Sequence, residues 1–293
     1  MKELKHYKDP KQIIYGLNNH GLLSWMSDKA NVKLIYRLRT GKALDLKNPE
    51  TFNEKLQWLK VYDHNPRYTN LVDKVTAKQV VGRLIGEEHI VPIIKTWEKA
   101  EQIDLSMLPD QFVLKCNHDQ GSVVIVRDKR KLNLNETVDF FKKRLKKNNY
   151  YSTREFGYKG IIPLVFAEKF LGESIRDYKF YCFHGEPLFL YVGQGLTCDH
   201  SLKIDYFDLD WNPMPFYRTD YERLGKVPKP RHFEEMKEIA KVLSKDVPFV
   251  RIDLFEENST VYFSEFTLCP ASGFMPFVPE EYDRIIGSYL HLT

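Results

Sequence analysis

The stretch from Phe249 to Gly273, FVRIDLFEENSTVYFSEFTLCPASG, constrains the fold most. The runs FVRIDLF and VYFSEFT are rich in β-branched and aromatic residues, and the turn-prone EENST joins them, so they read as a hairpin. A loop of three or five residues centred on Ser259 sets Asp253 directly across from Glu265, and Arg251 across from Thr267. The period of two then puts all four side chains on one face. Opposed carboxylates repel, and a cation between them removes the repulsion. Oxygen ligands on rigid strands suit Mg²⁺, which keeps several waters and completes its shell with substrate phosphates. The alternative is an edge hairpin with a solvated polar face and no ion. The aromatic residues on both strands argue against an edge.

A chain of 293 residues with 43% apolar content can bury a sizeable core in two or three subdomains. Its net charge of +4 is too mild to imply nucleic acid as a partner. No run of about eighteen apolar residues and no apolar N-terminal segment is present, so neither a membrane span nor a signal peptide is expected. Cys116, Cys182, Cys198 and Cys269 are far apart and form no CxxC pair, which reads as reduced, mostly buried cytosolic thiols.

Residues 1 to about 95 read as helical. Val32, Ile35 and Leu38 fall at helical spacing before Gly41. NPETFNEKLQWLKVYD puts Phe52, Leu56 and Leu59 on one face. The surroundings of Trp25 and Tyr36 are candidates for an anionic surface. DKVTAKQVVGRLIG is a helix ending near Gly86, with Lys74 and Lys78 one turn apart, read as solvated or as paired on an anion. FVLKC and SVVIV are strands joined by NHDQG, where a lysine and a Gly-containing loop offer charge and N–H groups to phosphate. TVDFFKKRLKKNNYY is amphipathic, with Val138, Phe141 and Leu145 inward and Lys142, Lys143, Arg144, Lys146 and Lys147 on a solvated basic face. The tyrosine-rich YYSTREFGYKG suits contact with sugar. In DYKFYCFHGEPLFLYVGQG strict alternation puts Asp177 and Lys179 on one face. Asp208-Leu209-Asp210 matches the DxD pattern of metal-dependent glycosyltransferases, and a strand ending in a turn at Asn212-Pro213 explains it equally well.

Taken in order, DKVTAKQVV, FVLKCNH, AEKFL, DYKFYCF, RIDLF, SEFT and PASGF resemble the ATP-grasp superfamily, and FNEKLQWLKVYD, QFVLKCNH, DYKF, FDLDW and FVRIDL resemble its TupA-like (teichuronopeptide-biosynthesis) branch. The likeness covers nearly all of the chain beyond about residue 30. It implies an α+β ATP-grasp fold in which two subdomains with antiparallel sheets sandwich ATP. The expected divisions are a mostly helical N-terminal region (1–95), a lid subdomain (96–165) and a core subdomain (166–293). By the same resemblance, Lys74 and Lys115 bind ATP phosphates, and Glu168 with the backbone of Lys169 and Phe170 reads adenine. Asp177 meets the ribose, Lys179 the phosphates, and Gly121 and Ser122 belong to the phosphate loop. Asp253 and Glu265 match the magnesium carboxylates, and Arg251 matches the arginine that stabilises the phosphorylated intermediate. Thr267 stands where an Asn is usual, and Ser272 and Gly273 fall in the substrate loop. Asp119 and Gln120 replace flexible, uncharged positions, and Asp119 is expected to point away from the nucleotide.

The implied reaction is an ATP-dependent carboxylate–amine ligation through an acyl phosphate. Its partners would be a carboxylate-bearing sugar or polysaccharide precursor and an amine. The setting would be the cytoplasm, with peripheral contact with a membrane-linked substrate allowed. The competing readings are a glycosyltransferase using Asp208 and Asp210, and a non-catalytic nucleotide-binding protein.

Overall fold

The computed structural model describes residues 10–172, 176–195 and 201–292, so Cys198 lies outside the described residues. Helices come first: α1 (Pro10–Asn19), α2 (Asp28–Thr40), α3 (Phe52–Tyr62), α4 (Arg67–Val72) and α5 (Lys74–Ile85). Local chemistry sets their ends. Gly41 closes α2 in the left-handed region at φ 74°, and Thr51 with Glu54 forms a capping box on α3. The Asp73 carboxylate accepts the first free N–H groups of α5.

Then follow β1 (Ile93–Trp97), β2 (Phe112–Cys116), β3 (Val123–Val126), α6 (Leu134–Leu145), α7 (Tyr150–Thr153) and β4 (Val165–Lys169). The four strands form an antiparallel sheet in the order β1-β4-β2-β3, packed on α6 through Phe112, Leu114 and Phe141. The divisions expected at 95/96 and 165/166 fall inside β1 and β4 of this sheet.

The rest comprises β5 (Arg176–Phe183), β6 (Glu186–Gln194), β7 (Lys203–Asp208), β8 (Tyr217–Arg218), β9 (Glu222–Arg223), α8 (Phe233–Ser244), β10 (Phe249–Glu257), β11 (Thr260–Thr267), β12 (Phe277–Val278) and α9 (Glu281–Ser288). A six-stranded sheet runs β11-β10-β5-β6-β7-β9. One face packs Phe180, Ile252 and Leu254 against Phe233 and Met236 of α8. On the other face, Phe183 and Phe249 lie under Phe52 of α3 and Ile286 of α9. That second cover spans only part of the face, and the remainder carries charge.

The hairpin brings Asp253 opposite Glu265 and Arg251 opposite Thr267, by a route other than the expected one. Glu257 pairs with Thr260, so the loop has two residues, Asn258 and Ser259, both at positive φ (51° and 61°). A shift between Asp253 and Leu254 then leaves Ser264 as the extra residue of a β-bulge. Bulge and short loop cancel, and the pairing beyond them is that of a longer loop without a bulge. The argument against an edge also fails, because β11 is the outermost strand. Its aromatic residues Phe263 and Phe266 are buried on the α8 side, and Ile90 bridges to Phe263 along the exposed edge.

Two surface expectations are corrected as well. Trp25 is exposed, but Tyr36 is packed against Val32, Leu44 and Leu46 and is only 5% exposed. In the tyrosine-rich connection two of the three tyrosines serve as packing, and Tyr151 is 41% exposed. Tyr150 and Tyr158 are buried, and Arg154, 2% exposed, pairs with Asp28.

Candidate active site

Between the two sheets lies a cleft of about 450 Å³. The four-stranded sheet contributes Val113, Lys115, Ile125 and Glu168, and the six-stranded sheet contributes Asp177, Gln194, Phe255 and Phe263. Lys169 and Phe170, which leave β4, line it as well. Val113, Ile125 and Phe255 give it apolar walls, as an aromatic base requires, and charge gathers at Lys115 and Asp177. The Glu168 carboxylate is buried and committed to two lysines, Lys115 and Lys78, with Lys78 Nζ at 2.8 Å. Burial opposes its ionisation, yet Lys115 and Lys78 together hold its pKa down at about 2. Lys78 is therefore no solvated lysine. It is 5% exposed and also donates to the Val91 carbonyl at 2.8 Å.

The second charged set sits on the open face of the six-stranded sheet. Register places Lys179 of β5 opposite Asp253 of β10, and Tyr191 of β6 opposite Lys179. Asp253 is fully buried. Its two oxygens take the Arg251 fork at 2.6 and 2.7 Å, and Lys179 adds a third bond at 2.6 Å. Burial works against the charge on Asp253, but Arg251 and Lys179 keep its pKa below the usual carboxylate range. Burial equally opposes the charge on Lys179, and Asp177 and Asp253 hold its pKa well above the usual lysine value. Arg251 is aimed further by the Thr267 hydroxyl, which accepts from it at 2.9 Å, and by the Tyr191 ring at 5.6 Å. Glu265 has looser partners, Arg251 at 3.7 Å and Lys74 at 3.9 Å, and its side chain is 31% exposed.

Lys74, at the start of α5, is part of this set, since its ammonium also donates to the Asp119 carbonyl. It ties the connection between β2 and β3 to the Glu265 side of the cleft. Within that connection the Asp119 carboxylate turns into the protein, where it takes Arg144 Nε at 2.8 Å and the Ser122 hydroxyl. Arg144 was expected on a solvated face. It is instead the anchor of this loop, donating also to the Gln120 carbonyl at 2.6 Å. Gly121 and Ser122 do not line the cleft, and the Ser122 hydroxyl is committed to Asp119 and Arg144. Asp119→Gly is therefore expected to lower stability by about 2 kcal/mol, as for other broken buried networks, rather than to free the loop usefully. Denaturant midpoints of the two proteins check this, and unchanged midpoints would count against the anchor.

The loop after β11 is shaped by three successive residues in the left-handed region: Ala271, Ser272 and Gly273, at φ 48°, 52° and 71°. A Cβ on Gly273 would lie 2.3 Å from Gln57 Nε2, so only glycine fits there. Gln57 of α3 donates to the Ser272 and Gly273 carbonyls at 3.0 and 2.9 Å. Lys60 reaches the Ser272 carbonyl at 2.8 Å and its hydroxyl at 2.9 Å. The same hydroxyl donates at 3.4 Å to Glu155, whose pKa burial raises to about 6. Gln57, Lys60 and Glu155 were missed in the sequence. The available signal was the stripe Asn53, Gln57, Lys60 beside the apolar face of α3, at helical spacing and buried throughout.

Asp253 and Glu265 fit a hard cation only in part. Among the described residues no group of three or more His, Cys, Asp or Glu is gathered for a metal. Thr267 serves Arg251, so the protein offers two carboxylates at most, and Lys179 and Arg251 already hold one of them. This donor set suits magnesium arriving with phosphate oxygens of its own.

The DxD stretch is a turn. Asp208 accepts the N–H groups of Asp210 and Asn212 at 2.9 and 2.7 Å, and the Asn212 side chain at 3.0 Å. Cys116, Cys182 and Cys269 are free and buried, as expected.

Solved structures with a detectable likeness include three ligases or synthetases. The D-alanine–D-alanine ligase from Bacillus anthracis is 16% identical with a TM-score of 0.36, over 68% of this chain and 57% of that one. The N5-carboxyaminoimidazole synthetase from Staphylococcus aureus is 13% identical with a TM-score of 0.38, over 69% and 45%. The L-amino acid ligase from Bacillus licheniformis is 12% identical with a TM-score of 0.48, over 92% and 63%. The chain thus spans less than two thirds of each of these proteins. No curated protein matches. The model of the TupA-like ATP-grasp family matches residues 54–291, which takes in α3, both sheets, the cleft and the Ser272 loop. The chain belongs to the TupA-like ATP-grasp family.

Proposed function

We propose that this chain is an ATP-dependent carboxylate–amine ligase that acts on a carboxylate-bearing component of a cell-surface polysaccharide. The observation that carries the reading is the set of cations Lys74, Lys179 and Arg251 gathered around the opposed carboxylates Asp253 and Glu265, with Lys115 in the same cleft on Glu168. Such a set meets a triphosphate and absorbs the charge that develops as its terminal group is transferred. The base lies between the apolar walls, near the backbone of Lys169 and Phe170, and Asp177 faces the ribose. Lys115 and Lys179 act as point charges on phosphate oxygens. Arg251, held in its plane by Asp253 and Thr267, meets the transferred group. Magnesium, which Glu265 and Asp253 would hold, supplies further charge neutralisation when bound.

A carboxylate oxygen of the substrate bonds to the terminal phosphorus as the bridging P–O bond breaks, giving an acyl phosphate and ADP. An amine nitrogen then attacks the acyl carbon, the C–O bond to phosphate breaks, and the nitrogen gives up its proton. The residues around Ser272 and Gly273 present the acid. No described helix is long and apolar enough to cross a membrane, and a cytoplasmic setting with peripheral access to lipid-linked substrate is part of the proposal.

The test is ADP release from ATP in the presence of an acidic oligosaccharide and an amine, with each omitted in turn. Dependence on both is the expected result. Nucleoside diphosphate released from a sugar nucleotide without ATP would move the assignment to glycosyl transfer. A second check is Asp208→Asn combined with Asp210→Asn. Because the Asp208 carboxylate is spent on its own turn, ligase turnover is expected to stay within a few-fold. Loss of activity in a folded double variant would sink that expectation.

A further inference from the structure

A second cleft, of about 1090 Å³, opens beside the loop that carries Ser272. Tyr15 of α1, Tyr36 and Arg39 of α2, and Phe274 wall it. Its volume is at the upper limit of the roughly 300–1,000 Å³ typical of small-ligand sites, so it has room for a chain of units. A narrower cavity of about 80 Å³ shares Tyr15, Arg39 and Phe274 with it and is also lined by Lys60 and Ser272. The narrower cavity thus lies behind the same walls, on the side of the Ser272 loop.

The charge along these walls is specific. Arg39 is exposed, and its guanidinium lies 4.6 Å from the Phe274 ring centre and 5.8 Å from that of Tyr15. Among the described residues no carboxylate pairs with it. The two acids of the cleft are already engaged, Glu280 by Lys42 at 2.9 Å and Asp283 by the Asn53 amide groups at 2.9 and 3.0 Å. A guanidinium held over ring faces can still donate to a carboxylate, and aromatic walls suit the C–H faces of sugars. Lys60 repeats the positive charge at the inner end.

Resting on the ligase reading above, we propose that this cleft holds a chain of acidic sugars. Arg39 takes one carboxylate, and the terminal unit passes Phe274 to reach Lys60 and Ser272. Calorimetry without nucleotide tests it, using hexagalacturonate, galacturonate, maltohexaose and a glutamate hexapeptide as probes, with ATP titrated separately. The acidic hexamer is expected to bind at least ~10-fold more tightly than the monomer or the neutral hexamer. Arg39→Gln is expected to cost about tenfold for the acidic hexamer, the scale of one charge-assisted contact, and nothing for ATP. Arg39→Lys, which keeps charge but loses the stacked plane, should fall between. Equal binding of hexamer and monomer, or no effect of Arg39→Gln, overturns the site. Equal binding of the glutamate peptide overturns the assignment to sugars. Hexamer binding that holds while ATP turnover fails would leave this site standing and remove the ligase reading instead.

Discussion

Replacing Glu265 with glutamine is expected to lower ATP-dependent turnover at least ~100-fold, the scale for removing one strong electrostatic group from a phosphoryl-transfer site. Glu265 is the carboxylate of the pair that remains accessible, since Asp253 is enclosed by Arg251 and Lys179. The amide keeps the shape and can still accept from Lys74, but it holds a divalent cation poorly. Stability should change by less than about 1 kcal/mol, because the partners of Glu265 lie at 3.7 and 3.9 Å on a partly exposed side chain. Two opposed carboxylates without partners would gain stability from the exchange. Here Arg251 and Lys74 already balance the repulsion. Steady-state ADP release, with a thermal scan beside it, decides the matter, and near-normal turnover would remove Glu265 from the chemistry.

Asp253→Asn is expected to act on the fold itself. The substitution strands buried Arg251 and leaves the largely covered Lys179 only Asp177 at 3.4 Å, and breaking such a set by removing its shared partner typically costs about 3 kcal/mol or more. For a chain of this size that corresponds to a fall in melting temperature of roughly 10 °C. Part of the loss should return when Lys179→Met is added, since one of the two under-paired charges is then gone. A melting temperature within a degree or two of the parent protein would show that the three groups are not coupled as drawn. So would a double variant less stable than the single one.

How much of this was legible beforehand varies by residue. The opposition of Asp253 and Glu265 came out as read only because a shorter loop and a bulge offset each other. Lys179 followed from strict alternation in β5. The loop was misread because a two-residue turn normally announces itself with glycine, and here Asn258 and Ser259 take up positive φ instead. Lys78, Lys60 and Arg144 escaped for a different reason. Each sits on a helix among residues that read as a solvated face, and its burial is decided by what packs above it from distant parts of the chain. Glu168 anchors Lys78, the Ser272 loop covers Lys60, and Asp119 receives Arg144. No local pattern carries that information. Nor did composition reveal the cleft beside Arg39, whose walls are separated by more than two hundred positions of sequence.

The bulge at Ser264 bears on how genes of this kind can vary. Toward the turn, Leu254 pairs with Phe263 in the core, whereas past the extra residue Asp253 pairs with Glu265 at the site. Loss of the single codon for Ser264 would remove the bulge, yet Glu265 would then follow Phe263 directly and stay opposite Asp253, with Phe266 opposite Ile252. Loss of one codon in the Asn258–Ser259 turn would disturb only the tip. Loss of one residue at either place is therefore expected to leave the acidic pair standing. A sequence comparison that moves its gap from one place to the other keeps Asp253 and Glu265 aligned and shifts only the letters between the turn and the bulge.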